Sequence, residues 1–328
     1  MQIRADKFYP PQVDTPQFLL RERILDELMR RCGSEMPVIV LEAQAGQGKT
    51  TTIKQFLDRL GVASAWYQVG PEDSDPAFFL LAIAACIAGQ LPRCPTAATI
   101  KRLTGGDIAP FDLPKRLDLL LDDLRANPEN DLYVVFDDLH NLIPHETSLF
   151  ILNYLIENAP PRLHFIVSSR VPLPRDEWRS TAGDPPPVRV GNRDLALCED
   201  EVADYFQKIF HMPLSHDANL EIVSNTDGWV MGIMLLGLQM TQHSGVFPRA
   251  DRDALGRPDI LGYFRREIFT SLEPGLRSAL LPLSLLEDIP VALARMLVPE
   301  PEIGSALDGL VKHNVFTRQL DADAMVYA

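Results

Sequence analysis

Glu42-Ala43-Gln44-Ala45-Gly46-Gln47-Gly48-Lys49-Thr50-Thr51 is the stretch that decides how this chain folds. It follows an apolar run, Pro37-Val38-Ile39-Val40-Leu41, and leads into Ile53-Lys54-Gln55-Phe56-Leu57, whose apolar positions have helical spacing. A strand, a glycine-bearing loop and a helix start are the setting in which a phosphate-binding loop makes physical sense. Gly46 and Gly48 let the backbone curl so that successive N–H groups point at one anion, and the helix opening near Lys49 adds its unpaired donors and dipole. Lys49 is placed to reach the β- and γ-phosphates, and the Thr50 hydroxyl to ligate Mg²⁺. The usual pattern has glycine where this chain has Ala43. The alternative is an ordinary strand-to-helix turn, but Gly-Lys-Thr-Thr in register after a buried-type strand favours a nucleotide.

Working outward, the second informative stretch is Leu132-Tyr133-Val134-Val135-Phe136-Asp137-Asp138. A continuous β-branched and aromatic run suits a strand of a parallel sheet covered on both faces. Two carboxylates at its C-terminal end fall where open α/β sheets bind ligands. Asp137 is placed to hold Mg²⁺ through water, and Asp138 to orient or deprotonate an attacking water. An Asp-Asp pair after a strand is by itself often a turn; with the upstream loop it reads as a Walker B site. Leu163-His164-Phe165-Ile166-Val167-Ser168-Ser169-Arg170 repeats the buried-strand pattern and ends in an arginine at the same sheet edge. There a guanidinium could sense a γ-phosphate or simply start the next loop.

The remaining elements follow from spacing. Residues 1–18, with Pro10, Pro11 and Pro16, predict an extended, irregular arm. A helix is expected from about Phe18, a second strand over Val62–Val69, and a helix capped by Asp75-Pro76 that is apolar nearly all round. Residues 90–111 read as a loop, and a leucine-rich helix follows. A short edge strand is expected at Val188-Arg189-Val190. After about residue 194 the pattern becomes helix after helix, with Gly228-Trp229 as a tight turn carrying a large anchor. Residues 245–259 read as a linker. The last segment reads as helices followed by a strand, Val315–Leu320, and a hairpin turn, which suggests a winged helix.

Composition bounds what this assembly can do. A chain of 328 residues with 46% apolar and 23% charged side chains predicts two or three globular domains. The net charge of −14 and pI near 4.9 argue against a surface built to hold a nucleic-acid backbone. Acidic side chains also outnumber basic ones after residue 250, so the expected winged helix reads as protein-facing. Four cysteines without paired or metal-type spacing read as reduced thiols, no apolar stretch is long enough for a bilayer, and the location expected is the cytoplasm.

The order of motifs resembles the STAND signal-transduction NTPases, and within them the MalT-like, LuxR-type large bacterial transcriptional activators. Leu19-Leu20-Arg21-Glu22-Arg23 is similar to the family's arm motif, Ala45–Thr51 to its P-loop, and Val134–His140 to its Walker B strand. Ile166–Arg170 with Pro172 and Pro174 is similar to its sensor-1 strand. The resemblance implies an α/β P-loop NTPase with a parallel five-stranded, AAA+-like sheet, then an all-α helical domain and a winged-helix domain. On this chain those would be an arm over 1–20, the NTPase over 21–194, the helical domain over 195–248 and the winged helix over 249–328, apparently cut short. It implies that Leu20 and Arg21 lie near an adenine. Ala45, Gly46, Gln47, Gly48, Lys49, Thr50 and Thr51 would hold phosphates, and Thr50 and Asp137 the Mg²⁺. Asp138, Lys49 and Arg170 would act on the γ-phosphate. The function implied is a switch that rests with ADP, exchanges to ATP on an inducing signal, self-associates, and resets by slow hydrolysis. Sensor and DNA-contacting output domains would lie beyond this chain. One departure is Gly228-Trp229-Val230, where many STAND proteins have Gly-x-Pro. The rival readings are a P-loop phosphotransferase on a small molecule and a module that keeps nucleotide only as structural glue.

Overall fold

The computed structural model describes residues 5–8, 19–32, 38–91, 94–104, 112–126, 131–173 and 186–244. In the C-terminal part it describes 277, 282–283, 286, 289–298, 303, 307, 319–321 and 326–327. The chain divides into two compact units: Met1–Glu42 with Gly48–Leu195, and Ala43–Gln47 with Ala196–Ala328.

The first unit is built on a five-stranded sheet. Its strands are β1 (Ile39–Glu42), β2 (Ala63–Gln68), β3 (Leu132–Asp137), β4 (Leu163–Ser169) and β5 (Val188–Gly191), in the order β2-β3-β4-β1-β5. All four pairings are parallel. Interior β3 is buried at every position, as a strand covered on both faces must be. At the edge, β5 alternates: Val188 and Val190 are buried, Arg189 and Gly191 half-buried. Because every strand runs the same way, the C-terminal ends of β1, β3 and β4 share one edge. Register then aligns Gln68 with Asp137, Phe136 with Val167, and Leu41 with Ser168.

The helices of this unit are α1 (Glu22–Cys32), α2 (Lys49–Leu60), α3 (Pro76–Ala88), α4 (Ala97–Thr104), α5 (Leu113–Arg125), α6 (Glu146–Glu157) and the single turn α7 (Asn192–Leu195). In α3 the buried side chains Phe78, Phe79, Leu80, Ile83, Cys86 and Ile87 occupy nearly every direction around the axis. The Asp75 carboxylate caps it, accepting the Ala77 and Phe78 N–H groups, an arrangement worth ~1 kcal/mol. An aromatic cluster of Tyr67, Phe79, Phe136 and Phe165 joins α3 to the sheet, with ring centroids 5.7–6.3 Å apart.

Two expectations are corrected in this unit. Within 90–111, taken as loop, Ala97–Thr104 is helical. Thr96 caps it by accepting the Thr99 N–H, and the Leu103 carbonyl accepts from Arg116 on α5. Neighbouring helices thus supply partners that the proline-, glycine- and threonine-rich composition hid. The arm is also not wholly extended: Ala5–Phe8 forms a 3-10 turn, and Lys7 within it is buried.

In the second unit, α8 (Glu199–Ile209), α9 (His216–Thr226) and α10 (Val230–Ser244) match the expected helical run. Further along, an antiparallel sheet of β6 (Ile289–Pro290), β7 (Gln319–Asp321) and β8 (Val326–Tyr327) has the order β6-β8-β7, and α11 (Val291–Leu297) follows β6 directly. Strand–helix followed by a hairpin is a winged-helix pattern. The linker expected at 245–259 and most of the helical patterns between 260 and 313 lie outside the described residues.

Candidate functional site: the C-terminal edge of the parallel sheet

The phosphate loop leaves β1 after Glu42. Gly46 and Gly48 adopt φ of 74° and 84°, a left-handed region that costs other residues about 1–2 kcal/mol. Gly48 is the N-cap of α2 without any side-chain cap, so the first amides of that helix are left to the backbone and to a ligand. Lys49 opens the helix and is buried. Burial pushes its ammonium down to about 8, with Asp138 and Asp137 opposing that shift and Arg170 adding to it. A cation this desolvated is favoured most when an anion sits beside it.

Asp137 ends β3, buried. Its carboxylate accepts from the Thr50 hydroxyl at 2.9 Å, from the Ser168 hydroxyl, and from the Asp138 N–H at 3.2 Å. Burial holds its pKa above the usual carboxylate range, and the Asp138 charge raises it further; the two hydroxyls and Lys49 pull the other way. Thr50 and Asp137 are the oxygen donors of this edge that would hold Mg²⁺, and a hard cation of that kind takes oxygen ligands.

Asp138 follows with φ 59°, a left-handed turn that aspartate tolerates better than most residues. One carboxylate oxygen accepts from Gln68 Nε2 at 2.8 Å, and the other pairs with Arg170 Nε at 3.3 Å. His140 Nδ1 lies 3.8 Å from the same carboxylate. Asn141 ties down the turn by donating to the Val69 and Asp138 carbonyls. Arg170 begins the loop after β4, and Glu42 steadies that loop by accepting from the Leu173 N–H at 2.8 Å and from Arg189 at 2.6 Å.

Lys49, Thr50, Asp137, Asp138 and Arg170 are thus gathered at one sheet edge. Leu20 and Arg21 are placed differently. The Arg21 guanidinium is buried and donates to the Leu195 carbonyl at 2.7 Å, its N–H meets Gln55 Oε1, and Leu20 is exposed. Thr51 continues α2 beyond Thr50. Gln68, Ser168 and Glu42 escaped the sequence reading, because each becomes a site residue only through strand register. The signal available was position: all three end a strand, or lie one residue from its end, on the motif-bearing side.

Residues 265–328 match the MalT winged helix domain family model. No curated protein matches the chain in sequence. Among solved structures, a Walker-type ATPase of Pyrococcus abyssi is 17% identical with a TM-score of 0.55, and the alignment covers 95% of this chain and 93% of that one. The Orc1 protein of Aeropyrum pernix, in complex with DNA, is 14% identical over 94% of this chain and 87% of that one, with a TM-score of 0.45. The fold is that of a P-loop, AAA+-like ATPase with a winged-helix domain. Among the described residues no helix is long and apolar enough to cross a membrane.

Proposed function

We propose that this protein is a cytoplasmic ATP/ADP switch that hydrolyses ATP slowly and passes the state of its nucleotide to domains beyond this chain. The observation that carries the reading is the Thr50–Asp137 contact of 2.9 Å at the start of a helix that follows a glycine loop. Beside it stand a buried lysine and the Asp138–Arg170 pair. Loop amides from Ala45 to Thr51 and the Lys49 ammonium bind the phosphates. Thr50 and Asp137 hold Mg²⁺, which when bound supplies neutralisation of phosphate charge. Asp138 orients a water and accepts its proton, and Arg170, paired with that carboxylate, is within the same cluster to read whether a γ-phosphate is there. Leu20 and Arg21 stand on the adenine side in this reading.

A switch needs a difference in affinity between two states. A ligand at ~100 times its Kd favours the state that binds it by about 2.7 kcal/mol, and exchange of ADP for ATP shifts a balance only by their difference between states. Self-association in the ATP state, an inducer sensed further along the protein, and transcription controlled through a separate DNA-contacting domain complete the proposal. The acidic charge of this chain supports a separate domain for DNA.

The test is titration calorimetry with ADP and ATP plus Mg²⁺, followed by single-turnover hydrolysis. Wild type binds both nucleotides, Lys49→Ala loses affinity by about 100-fold or more as a buried charge-assisted contact disappears, and Asp138→Asn binds ATP but does not cleave it. Wild type that ignores adenine nucleotides sinks the switch. Equal, near-zero hydrolysis by wild type and Asp138→Asn reduces the nucleotide to a structural ligand.

A further inference from the structure

The phosphate loop is held from outside itself by backbone and side-chain donors at one helix start. In the second unit the Trp229 indole N–H donates to the Ala45 carbonyl at 2.9 Å, and the Met231 N–H donates to the Gly46 carbonyl at 3.1 Å. These are consecutive carbonyls of the loop. Gly46 lies so close that a Cβ added there would stand 2.7 Å from the Met231 Cβ. The donors are themselves fixed. Gly228 sits at φ 70°, where a side chain would run into the Leu197 backbone at 2.5 Å, and the Gly228 carbonyl accepts the Leu197 N–H. Trp229 N–H returns to Thr226 O, and Ile233 N–H to Trp229 O, so the residue is locked between the end of α9 and the start of α10.

A trans peptide is planar, so a bound carbonyl also aims the N–H on the other side of the same plane. Holding Ala45 O sets the direction of the Gly46 N–H, and holding Gly46 O sets that of the Gln47 N–H. Met231 is in the first turn of α10, where its N–H has no intrahelical acceptor and is available for this work.

We propose that Trp229, aided by the Met231 amide, is a positioning residue for the phosphate loop: it pre-sets the loop amides that receive the β-phosphate, and so makes phosphate affinity depend on the α9–α10 turn. The proposal rests on the nucleotide reading above. Trp229 meets the loop through the Ala45 carbonyl, on the opposite side of the peptide plane from the amide it aims. Its effect is therefore selective for the phosphate that the loop amides receive.

The experiment compares ADP with AMP by calorimetry in the full chain, in wild type, Trp229→Phe and Met231→Pro. Phenylalanine keeps the ring and loses the N–H. Proline in a first helical turn loses the amide donor without breaking the helix. The expected result is that each variant melts like wild type without nucleotide and that its ADP-over-AMP preference falls about fivefold, the effect of one lost hydrogen bond. A fall in ADP and AMP affinity by the same factor, or an unfolded or markedly less stable Trp229→Phe together with an unchanged preference in Met231→Pro, assigns Trp229 to packing and overturns the proposal. An unchanged preference in both folded variants does the same while leaving the nucleotide reading intact. Wild type that binds neither nucleotide removes both.

Discussion

Two aspartates of the first unit, Asp73 and Asp137, are both almost completely buried, at 0% and 2% exposure, and their surroundings are opposite in kind. Asp73 follows β2 in the 3-10 turn Pro71–Ser74 and is neutralised inside the chain. Lys7 donates to it at 2.6 Å, the Tyr67 hydroxyl at 2.5 Å and the Gly70 N–H at 2.7 Å. Lys7 also pairs with Glu72 at 2.7 Å and stands 5.0 and 5.3 Å from the Tyr67 and Phe78 ring centres. Burial and the Asp73 charge drive the Tyr67 hydroxyl far above its ordinary range, so it remains a donor. Asp137 is met by two hydroxyls and one amide, with a second carboxylate next to it, and its pKa is raised. Burial alone therefore does not identify a functional carboxylate. The difference is where the compensating charge comes from: from Lys7 for Asp73, and, under the proposed function, from a divalent cation for Asp137.

The largest effect expected from this contrast is on stability. Asp73→Asn leaves the Lys7 ammonium with only the exposed Glu72 carboxylate as partner, which costs up to about 3 kcal/mol, the low end for a broken buried pair. It is read as a lowered melting temperature and faster proteolysis near residues 5–8. Nucleotide affinity of the molecules still folded stays at the wild-type value. A variant that melts like wild type removes Asp73 from the structural side of the comparison.

Asp137→Asn acts the other way. A carboxyl whose folded pKa lies above its unfolded value makes the fold less stable as pH rises through that window, the reverse of an ion-paired aspartate. Neutralising it costs no such stability at pH 7, and the melting temperature without Mg²⁺ stays at or above that of wild type. The gain in ATP affinity on adding Mg²⁺ shrinks by roughly 10–100-fold, the range for disturbed metal sites. A destabilised variant with an unchanged Mg²⁺ effect would make Asp137 a second Asp73.

The smallest effect is in pH. In the free chain Lys49 sheds its proton around 8 rather than at its ordinary 10.5, because burial disfavours the ammonium. A bound phosphate favours the ammonium, so binding above that pH takes up a proton. ADP affinity then falls with rising pH, by at most about tenfold per unit. Calorimetry at pH 9 in two buffers of different ionisation enthalpy measures the uptake. Binding that is independent of pH between 7 and 9, with no proton uptake, contradicts the placement of Lys49 against phosphate.

Strands with continuous or alternating apolar runs were legible because their pattern is local: Leu132–Asp137 and Leu163–Ser169 announce two-sided burial in their own composition. Asp137, Asp138 and Arg170 were legible as candidates because a parallel sheet puts its strand ends on one edge. Helix Ala97–Thr104 was not, since its cap is a weak threonine and its stabilising partners lie on α3 and α5. Nor was the arm: prolines predicted extension, while the burial of Lys7 depends on Asp73, 66 residues away.

By itself, then, the sequence determined the glycine loop, most of the order of strands and helices, and the positions where carboxylates and an arginine end strands. Period, glycine and caps are properties of neighbours in the chain. Tertiary structure decided which aspartate is satisfied and which is poised, that Gln68 and Ser168 frame the site, and that Trp229 meets Ala45 across 184 residues. The physical reason is that burial and charge compensation belong to partners in space. Only strand register and helix packing choose those partners.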